Sequence, residues 1–324
     1  NEPTITDEQR ETIRRGVETG AKRGNPSDAP EAKTWPTSEW WNGEPDLIVE
    51  LPEPVWVGDD VEDWQPDYYV QLSEEQLPED RWLKGLEAQG GCEVVHHIVV
   101  FKSNAASDSQ RSRRGFSDVN IGGLAPGAEN DFMRDGYGIP IEKGTTLRIN
   151  MHYHKESGPG TGVWDQSRVG MYFWDDEQTQ NMNEMIIEPI GNFTFEIPPG
   201  RADWTVGMAR TFDKPFTVHS YLPRMHLRGT AAEYVAYYPD GTSERLLDVP
   251  EYDYNWQLYY KYENLRVFPA GTRIEVKMKF DNSVANVSNP DPAKPISFGL
   301  ETSDEMALGW MTYTWEDESE ASTD

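Results

Sequence analysis

Cysteine is almost absent from this chain of 324 residues, in which Cys92 is the only one. A single cysteine cannot form an intrachain disulfide, and without a Cys-x-x-Cys pair thiolates cannot hold zinc, an iron–sulfur cluster or a covalent haem. Long apolar runs are also missing, since no stretch approaches the roughly 18 apolar residues of a membrane-spanning helix. Any bound metal must therefore rely on histidine, methionine or carboxylate ligands.

Positive charge is scarce as well. The chain has 29 Lys and Arg residues against 57 Asp and Glu residues, which gives a formal net charge of −28. Such a charge repels phosphate backbones and anionic lipids, so neither a nucleic acid nor a membrane is expected as a partner. It favours a periplasmic or extracellular, secreted protein. Because the chain starts at Asn1 without a leader, we expect that a leader or an upstream part has been removed.

The beginning of the chain predicts a short helix. Thr6 and Gln9 form a capping-box pattern at its start, and the Pro-, Ser- and Trp-rich segment that follows predicts an extended linker. We therefore assign residues 1–45 to an N-terminal helix and linker, separate from the domains that follow.

Aromatic residues are abundant, with 12 Trp, 15 Tyr and 11 Phe, and they favour well-packed cores in two domains. From residue 46 onward, short apolar runs are separated by Gly, Pro, Asn and Asp, a pattern typical of antiparallel all-β proteins. We predict two tandem β-sandwiches, at 46–189 and 190–317, and an acidic tail at 318–324.

The histidines are clustered, as His96 and His97, His152 and His154, and the single residues His219 and His226. His152 and His154 project from one face of a predicted strand and can converge on one ion. His96 and His97 would face opposite sides of a strand unless a β-bulge or the strand end redirects one of them. Imidazoles suit copper, zinc, iron and nickel, and a thioether such as that of Met306 adds a preference for Cu(I).

Six segments carry the most specific pattern of the chain: VVHHIVVF (94–101), LRINMHYHKESGPG (147–160), SYLPRMHLRG (220–229), YYPDGTSERLLDVPEYDYNWQ (237–257), FDNSVANVSNPDP (280–292) and TSDEM (302–306). Together and in this order they resemble the bacterial branch of the type II copper, ascorbate-dependent monooxygenases. This family includes peptidylglycine α-hydroxylating monooxygenase and dopamine β-monooxygenase.

The resemblance implies two tandem jelly-roll-like sandwiches, each with one copper, that face each other across a solvent-filled cleft. The first copper, reduced by ascorbate or another external donor, would be bound by residues that match His96, His97 and His152. The second copper, which binds dioxygen beside the substrate C–H bond, would be bound by the catalytic pair that matches His226 and Met306. The second site of the family has a further histidine, and its position is occupied here by Arg224.

Arg224 is the most informative departure from the family pattern. A guanidinium stays protonated and cannot donate a lone pair to copper, and its charge opposes the binding of a cupric ion. Three outcomes stay open: His219 or His154 substitutes for the missing ligand, copper binds weakly through His226 and Met306, or the second site is lost.

Substrate and electron donor are less defined. The positions that grip a glycine carboxylate in the peptide-amidating member match Leu222, Leu308 and Trp310, and none of these pairs with a carboxylate. A C-terminal glycine peptide is therefore not expected as substrate, and a small molecule and another peptide-like compound both remain candidates. Residues 5–28 resemble the closing helix of a c-type cytochrome domain, which makes a cytochrome c-like domain or partner a candidate electron donor.

Two main hypotheses follow for function. The chain is either a copper-dependent monooxygenase that hydroxylates a C–H bond with dioxygen and a reductant, or a degenerate relative that keeps one copper site. The degenerate relative would act in electron transfer, copper binding or partner binding, so Arg224 leaves open whether the chain is an enzyme. A β-sandwich that binds glycans or protein through its Trp and Tyr side chains is the third reading.

Overall fold

The computed structural model of the chain describes residues 5–31, 38–103, 118–124 and 132–316, so the predicted tail at 318–324 lies outside the described residues. Helix α1 spans Asp7–Glu18, and single 3₁₀ turns span Pro26–Asp28 and Asp176–Gln178. None of the helices described has the length and apolar character that a membrane span requires.

Helix α1 begins with the predicted capping box. The Thr6 hydroxyl accepts a hydrogen bond from the Gln9 backbone N–H at 3.2 Å, and the Gln9 side chain accepts one from the Thr6 N–H at 2.8 Å. None of the α1 residues is buried. The chain divides into two compact units between Glu39 and Trp40, and both sandwiches belong to the second unit.

The first sandwich contains the strands β1 to β12. They are β1 (Leu47–Glu50), β2 (Val55–Val57), β3 (Asp63–Trp64), β4 (Asp67–Gln71), β5 (Arg81–Gln89), β6 (Val95–Ser103), β7 (Val119–Leu124), β8 (Tyr137–Ile141), β9 (Thr146–His154), β10 (Val163–Asp165), β11 (Arg168–Phe173) and β12 (Asn183–Glu184). One sheet has the order β1-β11-β5-β8-β12, and the other has the order β3-β9-β6-β7 with β4 also paired to β9. Strands β2 and β10 form a separate ribbon.

The second sandwich contains the strands β13 to β22. They are β13 (Ile186–Asn192), β14 (Glu196–Ile197), β15 (Trp204–Thr211), β16 (Phe216–Arg224), β17 (Gly229–Tyr237), β18 (Ser243–Val249), β19 (Tyr260–Phe268), β20 (Arg273–Phe280), β21 (Ile296–Ser297) and β22 (Ala307–Trp315). Its two sheets have the orders β13-β22-β16-β19 and β15-β20-β17-β18, and β14 pairs with β21.

Each sandwich encloses its own hydrophobic core. Strand β9 illustrates the first one, because its alternate residues Leu147, Ile149, Met151 and Tyr153 all lie in that core. The residues between them face the other side of the sheet, where the candidate site lies. The all-β class, with two tandem jelly-roll-like sandwiches after a short helix, is confirmed.

The borders of the sandwiches differ slightly from the predicted ones. Trp40, assigned above to the linker, is buried, and a Cβ at Gly170 would lie 2.9 Å from its ring, so glycine is needed for this close packing. All of β13 pairs with β22, so the second sandwich begins at Ile186 rather than at residue 190. Pro189 obscures this strand in the sequence, and the sheet accepts it because β13 is an edge strand.

Candidate metal centre

Three histidines of the first sandwich meet where strands β6 and β9 pair. His97 lies directly opposite His152, while Val95 lies opposite Tyr153, so His96 is the extra residue of a β-bulge. The bulge brings the His96 ring beside the other two, with ring centroids 5.5 Å from His97 and 4.9 Å from His152. This is the bulge that the adjacent pair requires if both side chains are to share one site.

The same nitrogen of each ring points to the common centre. The Nδ1 atom of His97 lies 3.2 Å from Nδ1 of His96 and 3.1 Å from Nδ1 of His152. Ligands about 2.0–2.1 Å from a tetrahedral ion are separated by roughly 3.3 Å, so these spacings suit three ligands of one metal. Within the described part of the chain, these three histidines lie close enough together to hold one metal ion.

The outer nitrogens of two rings contact charged side chains of opposite sign. Nε2 of His152 lies 3.0 Å from Oδ1 of Asp63, and Nε2 of His97 lies 3.3 Å from a guanidinium nitrogen of Arg224. Asp63 belongs to β3 of the first sandwich, whereas Arg224 is the last residue of β16 in the second. A carboxylate on the outer nitrogen of a histidine fixes its orientation and favours metal binding by the inner one.

Electrostatics keep these groups in the forms that metal binding needs. Burial lowers the pKa of His96 to about 4, and the charges of His152 and Arg224 add to this effect. Burial, followed by Arg224, lowers the pKa of His97 well below its usual range. Burial alone would raise the pKa of Asp63, but the hydrogen bond and charge of His152 bring it down to about 2. His96 and His97 are therefore neutral at pH 7, and each ring keeps one unprotonated nitrogen.

Tyr254 of the second sandwich connects the two predicted sites. Its ring is stacked on His96, with 5.4 Å between centroids and an interplanar angle of 8°, and it meets His226 edge-on at 5.9 Å. Its hydroxyl lies 3.3 Å from Oγ1 of Thr302. The His226 ring is thus one aromatic side chain away from the histidines of the first sandwich.

The residues that match the second site are held by a buried carboxylate. Glu305 accepts the backbone N–H groups of His226 at 2.8 Å, Arg228 at 2.6 Å and Met306 at 3.3 Å. Burial raises the pKa of Glu305 to about 7, although these hydrogen bonds and the Arg228 charge favour the ionised form. Nδ1 of His226 lies 3.2 Å from the carbonyl oxygen of Asp304, so Nε2 is the nitrogen left for a ligand.

Neither proposed substitute ligand is brought to His226 by its contacts. His219 lies in a bulge of β16, where its ring meets Tyr137 edge-on at 4.6 Å and Nε2 lies 3.3 Å from Oγ1 of Thr314. Burial lowers the pKa of His219 to about 4. His154 is exposed, with Nδ1 3.7 Å from Oδ2 of Asp63 and its ring 6.3 Å from that of His96.

The positions of the family's carboxylate clamp are apolar on two neighbouring strands. Leu222 lies opposite Trp310 and Arg224 lies opposite Leu308 in the pairing of β16 with β22, and both leucines are buried. The loop at 280–292 is built on Asx turns, in which Asp281, Asn286 and Asn289 each accept a backbone N–H two residues later.

A cleft of about 1170 Å³ opens beside Asp63 and His154. The first sandwich contributes Asp63 and His154 to its wall, and the second contributes Leu227, Thr302 and Ser303. The cleft is therefore lined by residues close in the chain to His226 and Met306, and by Asp63, which contacts His152.

Comparisons with known proteins do not identify the chain. No family model matches it, and no curated protein matches it. Among solved structures, the empty top component of cowpea mosaic virus has 6% identity and a TM-score of 0.41 over 91% of this chain and 97% of that one. The VP2 subviral particle of infectious bursal disease virus has 11% identity and a TM-score of 0.22, with coverages of 86% and 83%. Both scores are too low to carry any inference about function.

Three residues of the site were not predicted from the sequence: Asp63, Tyr254 and Glu305. Glu305 had a local signal, because it lies directly before the predicted ligand Met306. Asp63 lies 89 residues from the histidine it contacts, and no pattern in the sequence pairs the two.

Proposed function

We propose that this protein binds one copper ion through His96, His97 and His152 and acts as a single-copper redox protein, in electron transfer or copper handling. The observation that carries the proposal is the convergence of three Nδ1 atoms at ligand spacing. Bound copper would supply one-electron chemistry, while the protein keeps His96 and His97 neutral and orients all three imidazoles.

Copper is favoured over zinc by the sequence resemblance. Three imidazoles suit either metal, but the six segments resemble those of a copper family. The ligand set contains no anion, so it does little to neutralise a doubly charged ion and is compatible with Cu(I).

One copper is favoured over two because of Arg224. The guanidinium cannot act as a ligand, and it points to His97 of the first sandwich and to Gln257 rather than joining His226. His226 and Met306 alone leave the second site with two of its three expected ligands.

A monooxygenase is the second candidate, and one observation favours it. Tyr254 contacts both His96 and His226, and the cleft is lined by chain neighbours of His226 and Met306. A substrate in this cleft would therefore lie near both sites. This function requires a second, oxygen-binding copper despite Arg224.

Metal counting tests the proposal. The purified chain is loaded with copper, dialysed, and examined by metal analysis and by electron paramagnetic resonance before and after reduction with ascorbate. We expect one copper per chain that is reduced and reoxidised in place, lost in His152→Ala and retained in His219→Gln, a control at a buried histidine elsewhere.

Other outcomes would decide against this function. Two coppers per chain would favour the monooxygenase. Release of copper on reduction, together with retention of zinc, would point to a zinc protein. Failure to retain any metal would rule out both copper functions.

A further inference from the structure

Two opposite charges flank the histidine site at equivalent places. Asp63 contacts the outer nitrogen of His152, and Arg224 contacts the outer nitrogen of His97. We propose that this pair sets the oxidation-state preference of the bound copper, with Asp63 favouring Cu(II) and Arg224 favouring Cu(I). The inference rests on the proposed copper site. It makes Arg224 of the second sandwich a positioning residue for the copper bound by the first.

The charge of Arg224 is not neutralised nearby. Within the described residues no carboxylate is paired with it, and its guanidinium donates to Oε1 of Gln257 at 2.6 Å and to Nε2 of His97. Its backbone is fixed by the pairing of β16 with Leu308 of β22. A fixed, uncompensated cation in a partly buried site acts on its neighbours with little screening.

The cation lies close to the candidate ligands. A guanidinium nitrogen of Arg224 is 3.3 Å from Nε2 of His97, so a positive ion bound by this ring is repelled. The effect on an ion grows with its charge, so Cu(II) is disfavoured more than Cu(I).

The hydrogen bond from Arg224 acts in the same direction. It requires that Nε2 of His97 carries no proton, which leaves the proton of the neutral ring on Nδ1. A metal on Nδ1 moves this proton to Nε2, where it faces a second donor. Arg224 therefore opposes metal binding by His97 and favours the ion of lower charge.

Asp63 has the reverse effect on His152. Its carboxylate accepts the proton of Nε2, which leaves Nδ1 free for the metal, and its charge stabilises the more highly charged ion. The Thr302 backbone N–H donates to its other oxygen at 3.3 Å, and His154 lies 3.7 Å from that oxygen.

The expected size follows from Coulomb's law. A unit charge about 7 Å from an ion, at an effective dielectric constant of about 20, changes the ratio of Cu(II) to Cu(I) affinity by on the order of 50-fold. Because the two charges are opposite, their effects on the affinity ratio largely cancel in the wild type. Neutralising either residue leaves the effect of the other uncompensated.

The experiment uses the full chain with Arg224→Gln, Arg224→Lys, Asp63→Asn and, as a control, Glu62→Gln. Glu62 precedes Asp63 in the chain but bonds to Ser157. Dissociation constants for Cu(I) and Cu(II) are measured by competition with chromophoric chelators, and thermal unfolding reports on folding. We expect Arg224→Gln to raise the Cu(II)-to-Cu(I) affinity ratio by on the order of 50-fold and Asp63→Asn to lower it by on the order of 50-fold. Arg224→Lys and Glu62→Gln should change the ratio by less than about threefold.

The outcomes separate the two proposals. If both substitutions shift the ratio in the same direction, or if Arg224→Lys behaves like Arg224→Gln, the charges act only structurally and the inference is overturned. Should Asp63→Asn not fold, the comparison of Arg224→Gln with Arg224→Lys still tests whether the charge at position 224 sets the affinity ratio. If the wild type binds no copper, the proposed function fails instead.

Discussion

The residues that match the two expected copper sites have very different surroundings. In the first sandwich, His96, His97 and His152 present the same nitrogen to one point. In the second, Arg224 turns to the first sandwich, and His226 stands with one nitrogen engaged by a carbonyl. The side chain at position 224 thus contacts the histidines of the first sandwich and not His226.

The support around the second set is nevertheless well ordered. Glu305 fixes the backbone of His226 and of Met306, and Arg228 next to it donates to Asn282 and to the carbonyl of Ser303. The two regions therefore differ in their candidate ligands and not in how well their backbones are supported. A comparison of this kind can be tested by removing a ligand from one region and adding one to the other.

The largest effect is expected for His97→Ala. Loss of a direct ligand should lower copper affinity by more than about 100-fold, because loss of even an outer contact lowers affinity 10- to 100-fold. The matched change His226→Ala should alter the affinity less than about threefold. Chelator competition measures both, and equal losses in the two variants would show that the two regions bind one ion together.

The next prediction restores the missing ligand. Arg224→His should raise the copper content from one to two ions per chain, because it removes a cation and supplies an imidazole beside His226. Metal analysis and electron paramagnetic resonance measure the gain. Adding Met306→Leu should abolish it. A copper content that stays at one would mean that more than this ligand separates the two regions.

Glu305→Gln tests the scaffold of the second region. An amide offers one acceptor oxygen where the carboxylate accepts three backbone N–H groups, so we expect a loss of about 2–3 kcal/mol in unfolding free energy. Copper binding by the first region should be unchanged. Denaturant unfolding provides the measurement, with the exposed Glu301→Gln as a control. An equally stable Glu305→Gln variant would contradict the assigned role.

The smallest effect concerns pH and a buried histidine away from the candidate metal centre. The pKa of His219 is about 4 in the folded protein against an ordinary 6.5. Between these values the unfolded chain binds more protons, so stability falls as the pH drops through this window. Between pH 7 and pH 5, we expect the unfolding free energy of His219→Gln to fall by about 1–2 kcal/mol less than that of the wild type. Identical pH profiles of unfolding would contradict this.

Local patterns in the sequence predicted much of the fold. The capping box at Thr6, the alternation in β9 and the turn residues between short apolar runs depend on neighbours in the chain, and the structure contains them. The edge strand that contains Pro189 was not predicted. Proline argues against a strand unless the strand is known to lie at a sheet edge, and the local sequence does not show that position.

The candidate site was predictable only in its local parts. The three histidines were predicted from the sequence, together with the need for a bulge if His96 and His97 are to share one site. Whether the bulge forms depends on the pairing of β6 with β9, which the local sequence does not show. The directions of Arg224 and Tyr254 depend on how two distant parts of the chain pack. Arg224 lies 127 residues from the ring that it contacts.

The bulge at His96 has a consequence for insertions and deletions. Val95 pairs with Tyr153 and His97 pairs with His152, so the ladder on both sides of His96 is already continuous without it. Removal of this single residue would leave every flanking side chain on its present face of the sheet, whereas removal of a neighbour such as Ile98 would reverse half of the strand. One of the three candidate ligands is therefore a residue that the strand register does not require, and the insertion or deletion of one codon would create or remove it.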